Sequence, residues 1–254
     1  MAAYRSILIT GASSGIGEAL ALHFAEPSVN LWLSGRNIDR LTSVAIACQN
    51  QGATVEFDIV DVTDEKVMRA WIEKCDQVLP LDLVIANAGV SIGPRAGSIE
   101  DREQLDQLLT ININGVLNTV YPAIETMQAR QRGHIALVSS LAGYTGMPTA
   151  PAYSASKNFV KSWGEAIEPW LRKKGVAVSI ICPGFVKSRI TEKNRFPMPF
   201  LMTAEKAAKI IARGLKKRKL IIAFPLPMRF MVWLISLLPR RMANKLLGGL
   251  PKKK

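Results

Sequence analysis

The chain is 254 residues long, 48% hydrophobic and 21% charged, enough apolar material for one full core and too little charge for a disordered chain. Its formal net charge of +13 asks for an anionic partner, and the excess is weighted toward the C-terminal end. Two distant histidines, His23 and His134, are too few for a metal site, and Cys48, Cys75 and Cys182 show no CxxC pair, so no metal or disulfide framework is expected. The first nine residues pass straight into a strand-like run without a signal-peptide core, which predicts an intracellular, cytoplasmic protein.

In chain order, residues 6–9 read as a buried strand, 18–26 as a helix ending near Pro27, 29–34 as a strand and 39–49 as a helix. Residues 54–57 read as the third strand, 64–78 as a helix, 81–86 as the fourth strand and 102–130 as one long helical stretch. Residues 134–139 follow as a strand, 153–173 as a helix, 176–182 as a strand, 204–216 as a helix and 220–223 as a short strand. The strands are continuous apolar runs, as expected of strands covered on both faces. Their alternation with helices predicts one α/β domain, a doubly wound, Rossmann-like parallel sheet with helices on both faces. Residues 1–223 would form this body, with 184–202 as a substrate loop and 224–254 as an apolar, basic helical extension.

The first strand runs into Thr10-Gly11-Ala12-Ser13-Ser14-Gly15-Ile16-Gly17, where a helix opens. Glycines allow a tight turn and a close backbone approach, and free N–H groups at a helix start favour phosphate. Gly11, Ser13, Ser14, Gly15, Ile16 and Gly17 are therefore candidate contacts to a pyrophosphate. The spacing is Gly-x-x-x-Gly-x-Gly, not the GxGxxG dinucleotide fingerprint. The second strand ends in Gly35-Arg36, where an NAD-selective fold places a carboxylate for the ribose 2′-hydroxyl. An arginine there can pair with a 2′-phosphate, so NADP(H) is expected over NAD(H).

Further motifs follow in order: Asp61-Val62-Thr63-Asp64, Asn87-Ala88-Gly89, Asn112 three residues before Gly115, Ser139-Ser140, Tyr153-Ser154-Ala155-Ser156-Lys157, and Pro183-Gly184. Together they resemble the short-chain dehydrogenase/reductase family, in its branch of about 250 residues, over residues ~5 to ~222. The resemblance implies that Asp61 and Val62 border the adenine and that Asn87, Ala88 and Gly89 line the cofactor cleft. It implies that Pro183, Gly184, Val186 and Ser188 flank the nicotinamide, with serine at position 188 where the family usually has threonine. Ala86 stands where the family often has asparagine.

Reducing a carbonyl needs a hydride on carbon and a proton on oxygen. Tyrosine ordinarily titrates near 10, too high for ready proton exchange at neutral pH, and a neighbouring cation lowers it. Tyr153 and Lys157 are four residues apart and share a face if the segment is helical. By resemblance, Tyr153 is the acid/base, Lys157 supports the phenolate and holds the nicotinamide ribose, Ser140 binds the substrate oxygen, and Asn112 fixes a water behind Lys157. A hydrolase would need a Ser/His/Asp set, and neither histidine lies near a candidate nucleophile in sequence.

Phe185, Phe196, Met198, Phe200, Leu201 and Met202 make the substrate loop apolar, which suits a hydrophobic, lipid-like carbonyl or alcohol and equally suits buried packing. After residue 224 the chain is strongly apolar, with basic residues on both sides: Lys216–Lys219 before it, Arg240, Arg241, Lys245 and Lys252–Lys254 after it. The run 230–238 is too short to span a bilayer. It would lie in an anionic membrane interface, at the inner face of the membrane, or pack on another subunit or over the cleft. The expected activity is hydride transfer between NADP(H) and a carbonyl/alcohol pair, in a homo-oligomer, with no nucleic-acid partner. The alternative is a cofactor-binding regulatory protein of the same fold without turnover, and the presence of Ser140, Tyr153 and Lys157 argues against it.

Overall fold

The computed structural model describes residues 4–92, 99–192 and 197–248. Among these residues one sheet of seven parallel strands forms: β1 (Ser6–Thr10), β2 (Asn30–Gly35), β3 (Thr54–Ile59), β4 (Leu83–Ala86), β5 (Gly133–Val138), β6 (Val176–Pro183) and β7 (Ile221–Phe224). Their spatial order is β3-β2-β1-β4-β5-β6-β7. The helices are α1 (Gly15–Phe24), α2 (Ile38–Asn50), α3 (Glu65–Val78), α4 (Arg102–Leu109), α5 (Gly115–Ala129), α6 (Pro151–Arg172), α7 (Arg189–Glu192), α8 (Ala204–Lys216), α9 (Leu226–Leu237) and α10 (Arg240–Gly248). A single doubly wound sheet flanked by helices is thus the observed architecture, with a helical C-terminal region.

Every residue of β1, β4 and β5 is buried, which is why these segments read as unbroken apolar runs. Alternate side chains enter different cores. Ile7 and Ile9 pack with α1, α2 and α8, whereas Leu8 points to the layer of α3, α5 and α6. Helix starts follow side-chain caps: Asn37 accepts from the Arg40 N–H, Asp64 from Val67, Asp101 from Gln104 and Thr203 from Lys206. The winding direction changes between β1 and β4. That switch opens a crevice beyond the C-terminal strand ends.

The helical stretch expected over 102–130 runs from Arg102 to Ala129 and contains a π-helical turn, Thr110–Asn114. The turn lets Asn112 face inward, where its Oδ1 accepts from the Val90 N–H at 2.8 Å and its Nδ2 donates to the Val90 carbonyl at 2.9 Å. Pro225 and Pro227 sit at the start of α9, where a missing N–H is tolerated. The substrate segment is not all loop: it contains α7, and Val186 bridges Met202. Phe196 and Lys252–Lys254 lie outside the described residues. Among the described residues, no helix is long and apolar enough to cross a membrane.

Candidate active site

The crevice at the switch point is lined by residues from most of the sheet's upper loops. At one end lies the turn between β1 and α1. Gly11 and Gly15 both have positive φ, 66° and 62°, a region where a side chain is strained. A Cβ on Gly11 would stand 2.9 Å from the Ala88 Cα. Ser14, at the start of α1, makes no side-chain capping bond, and Ser14, Gly15 and Ile16 line the crevice at the positive end of that helix. The turn is stapled to β4. Asn87 donates through Nδ2 to the Thr10 and Gly11 carbonyls at 2.9 and 3.2 Å, and the Asn87 and Ala88 N–H groups both donate to the Thr10 hydroxyl at 3.1 Å.

At the end of β2, Gly35 packs against Ser13, and no carboxylate stands there; Arg36 follows, exposed at the rim. Arg40, in the first turn of α2, also lines the crevice, and its buried Nε has no hydrogen-bond partner among the described residues. Asp61 and Val62 border the same region. The Asp61 carboxylate accepts from the Thr63 N–H and hydroxyl, both at 2.9 Å.

The other end holds Ser140, Tyr153 and Lys157. Ser140 closes β5 and accepts from the Ala142 N–H at 3.1 Å, at the start of the 3-10 turn Leu141–Tyr144. Tyr153 and Lys157 lie one turn apart on α6, with the Lys157 Nζ 6.0 Å from the Tyr153 ring centre. That ammonium donates to the Val138 carbonyl at 2.9 Å. Burial pushes the Tyr153 phenol above its ordinary value, and its hydrogen bond with Ser140 acts the other way. Burial pulls Lys157 down to about 8, partly countered by Cys182. The Lys157 ammonium is turned onto the Val138 carbonyl, and burial is the larger influence on the phenol. Chemically, this end offers one phenolic proton, one hydroxyl and one ammonium lining the same crevice.

Pro183, Gly184, Val186 and Ser188 form the opposite wall. The Thr191 hydroxyl accepts from the Ser188 N–H at 2.9 Å and fixes the turn into α7. The structure thus brings the sequence-predicted residues to one crevice, with two exceptions. Gly17 lies beneath the turn, where a Cβ would run into the Gly11 carbonyl and stand 2.6 Å from the Asn87 Nδ2. Asn112 lies fully buried behind the wall, its Nδ2 also donating to the Ser156 hydroxyl at 3.1 Å, and Gly89 packs between Asn112 and Lys157. Sequence reasoning missed Arg40, Val90, Ile111, Val138, Arg189 and Thr191. Arg40 had a legible signal: it follows Arg36 by four residues, just after the Asn37 cap.

The short chain dehydrogenase family model matches residues 5–198. An uncharacterized oxidoreductase of Myxococcus xanthus is 38% identical over 244 residues, spanning 96% of this chain and 93% of its own. Among solved structures, a short chain dehydrogenase/reductase from Burkholderia phymatum in complex with NAD aligns with a TM-score of 0.83 at 22% identity, covering 98% of this chain and 97% of that one. A short-chain dehydrogenase from Sphingobium yanoikuyae in complex with NADPH aligns at 0.79 and 22% identity, with 98% and 97% covered. The fold, the order of motifs along it and a family match over most of its length make this chain a member of the short-chain dehydrogenase family of oxidoreductases.

Proposed function

We propose that the protein is an NADP(H)-dependent oxidoreductase that interconverts a carbonyl and an alcohol on a hydrophobic substrate. The observation that carries this reading is the convergence of the Tyr153 phenol, the Ser140 hydroxyl and the Lys157 ammonium at one end of a crevice whose other end is a glycine turn at a helix start. The start of α1, without a side-chain cap from Ser14, and the glycine cradle fit a pyrophosphate. Arg36 and the unpartnered Nε of Arg40 fit a 2′-phosphate, and the absence of a carboxylate at the end of β2 favours NADP(H) over NAD(H). When bound, the dinucleotide supplies the hydride that reaches the carbonyl carbon.

The chain's own residues handle the proton. Tyr153, kept protonated by burial, donates to the substrate oxygen, and Ser140 holds that oxygen and offsets its developing charge. Lys157 supplies positive charge to the phenolate that results. Asn112 acts as a positioning residue, tying the Val90 backbone to α6 through Ser156. The apolar make-up of residues 185–202 supports an apolar substrate. The outer faces of α5 and α6 carry Tyr121, Phe159 and Trp163 in ring contact, and a second copy of the chain would seat there.

The test is NADPH oxidation over ketones and acyl carbonyls of increasing chain length, with NADH in parallel. Turnover should rise with substrate chain length and be faster with NADPH. Tyr153→Phe should lose turnover by roughly a thousandfold or more while still binding NADPH in a fluorescence titration. Carbonyl reduction retained by that variant would refute the assignment.

A further inference from the structure

We propose that the outward face of α9, with α10 continuing it, docks on an anionic lipid bilayer and sets the substrate side of the crevice against the membrane. The entry of a membrane-dissolved carbonyl rests on the reductase reading; the docking does not.

The pattern of exposure comes first. Leu226, Phe230, Trp233, Leu234 and Leu237 recur at i, i+4, i+7, i+8 and i+11, one stripe of a helix, and Leu226, Phe230 and Leu237 are 70%, 61% and 62% exposed. The opposite stripe is engaged: Met228 is buried and Val232 packs against the core, so the helix is seated and its open face is not a frayed end. Met242 and Leu246 on α10 add exposed apolar surface, while Ala243 and Leu247 on the same helix are buried. A soluble domain seldom leaves such a contiguous patch uncovered.

Charge selects the occupant. From Lys206 to the end the chain carries fourteen lysines and arginines and no aspartate or glutamate, which accounts for the whole net charge of +13. Arg229, Arg241 and Lys245 are exposed on the two tail helices. A second copy stacked face to face would set this acid-free segment against itself, whereas an anionic headgroup layer complements it. Phenylalanine and tryptophan beside basic residues suit the depth of the headgroups. At twelve residues α9 is far too short to span a bilayer and must lie in its plane.

The inner face of the same helix touches the site. A Cβ on Gly184 would stand 2.9 Å from the Met228 Sδ and 3.0 Å from the Pro225 Cδ, and Gly184 lines the crevice. α9 also packs on the 3-10 turn that begins after Ser140. Docking through the outer face therefore brings the Ser140 end of the crevice next to the lipid, and an apolar carbonyl can reach it with little exposure to water.

Flotation of the full chain tests this, with phosphatidylcholine vesicles and with phosphatidylcholine/phosphatidylglycerol vesicles at low and high salt. The protein should float with the anionic vesicles at low salt and stay at the bottom with the neutral ones. Phe230→Glu combined with Trp233→Glu should abolish flotation, and Arg229→Gln with Arg241→Gln and Lys245→Gln should weaken it by roughly tenfold or more. NADPH binding and circular dichroism, unchanged in both variants, show that they fold. A wild-type chain that stays at the bottom with anionic vesicles overturns the proposal, as do variants that float like the wild type. So does a change of oligomeric state in the Phe230/Trp233 variant without wild-type flotation, which assigns the face to a second copy. Vesicle binding without carbonyl reduction sinks the reductase reading and leaves the docking intact.

Discussion

A phenol buried beside a lysine faces two opposed effects. Burial raises Tyr153, while the same burial lowers Lys157 to about 8 and sets the pH at which its ammonium is lost. Tyr153 stays protonated through this window, so the group that titrates is Lys157, and its charged form exists below about 8. NADPH-dependent reduction should therefore hold steady near neutral pH and fall tenfold per unit above about 8, measured as kcat/KM. Lys157→Arg should move that limb out of range, since arginine stays charged. An unshifted limb would assign the titration to another group. Tyr153, Lys157 and Ser140 were legible because each sits in a short motif at a strand end or helix start. Arg40, four residues after Arg36, was legible only as a second basic residue in the first turn of α2; the burial of its Nε at the crevice depends on how that helix packs.

At the scale of elements, α1 is held against the crevice by contacts that leave no room for a methyl group. Gly17 meets the Gly11 carbonyl and the Asn87 amide, both fixed by the staple to β4. Gly17→Ala should push α1 away from the turn, cost about 1–3 kcal/mol of stability by overpacking, and weaken NADPH binding more than it lowers Tm would suggest. Denaturant titration with a parallel NADPH titration reads both; unchanged binding would show that the turn adapts. Strands and most helices were legible from apolar runs and caps, to within about two or three residues at their ends. The π-helical turn inside 102–130 was not, since it accompanies the bond of Asn112 to the Val90 backbone, a contact across 22 residues.

Taken whole, the molecule carries its chemistry at the upper ends of the strands and a buried polar network at the lower end. The Tyr4 hydroxyl lies 2.8 Å from the His134 Nδ1 and from the Leu215 carbonyl, and the His134 Nε2 lies 2.9 Å from the Ser179 hydroxyl, which reaches the Lys219 carbonyl at 2.6 Å. A neutral ring has one N–H, so the two hydroxyls cannot both give their protons to carbonyls; one of them donates to the ring. Burial and the Arg218 charge pull His134 from 6.5 to about 4. The unfolded chain then binds the extra proton first, and stability falls as pH drops from about 6.5 toward about 4, by about 3 kcal/mol from this ring. His134→Gln should flatten that part of the acid unfolding curve, followed by urea midpoints across pH; an unaltered slope would place the loss elsewhere. The overall topology was legible from the alternation of strand and helix, whereas the partners of Tyr4, 130 residues from His134, belong to the assembled sheet alone. One practical consequence follows from the seat of Met228 and Pro225 on Gly184. α9 packs near Gly184 on one side and exposes Phe230 and Trp233 on the other, so a surfactant micelle gathered on those rings would load the same rod. Michaelis constants taken with and without detergent would then describe two differently braced crevices and should not be pooled.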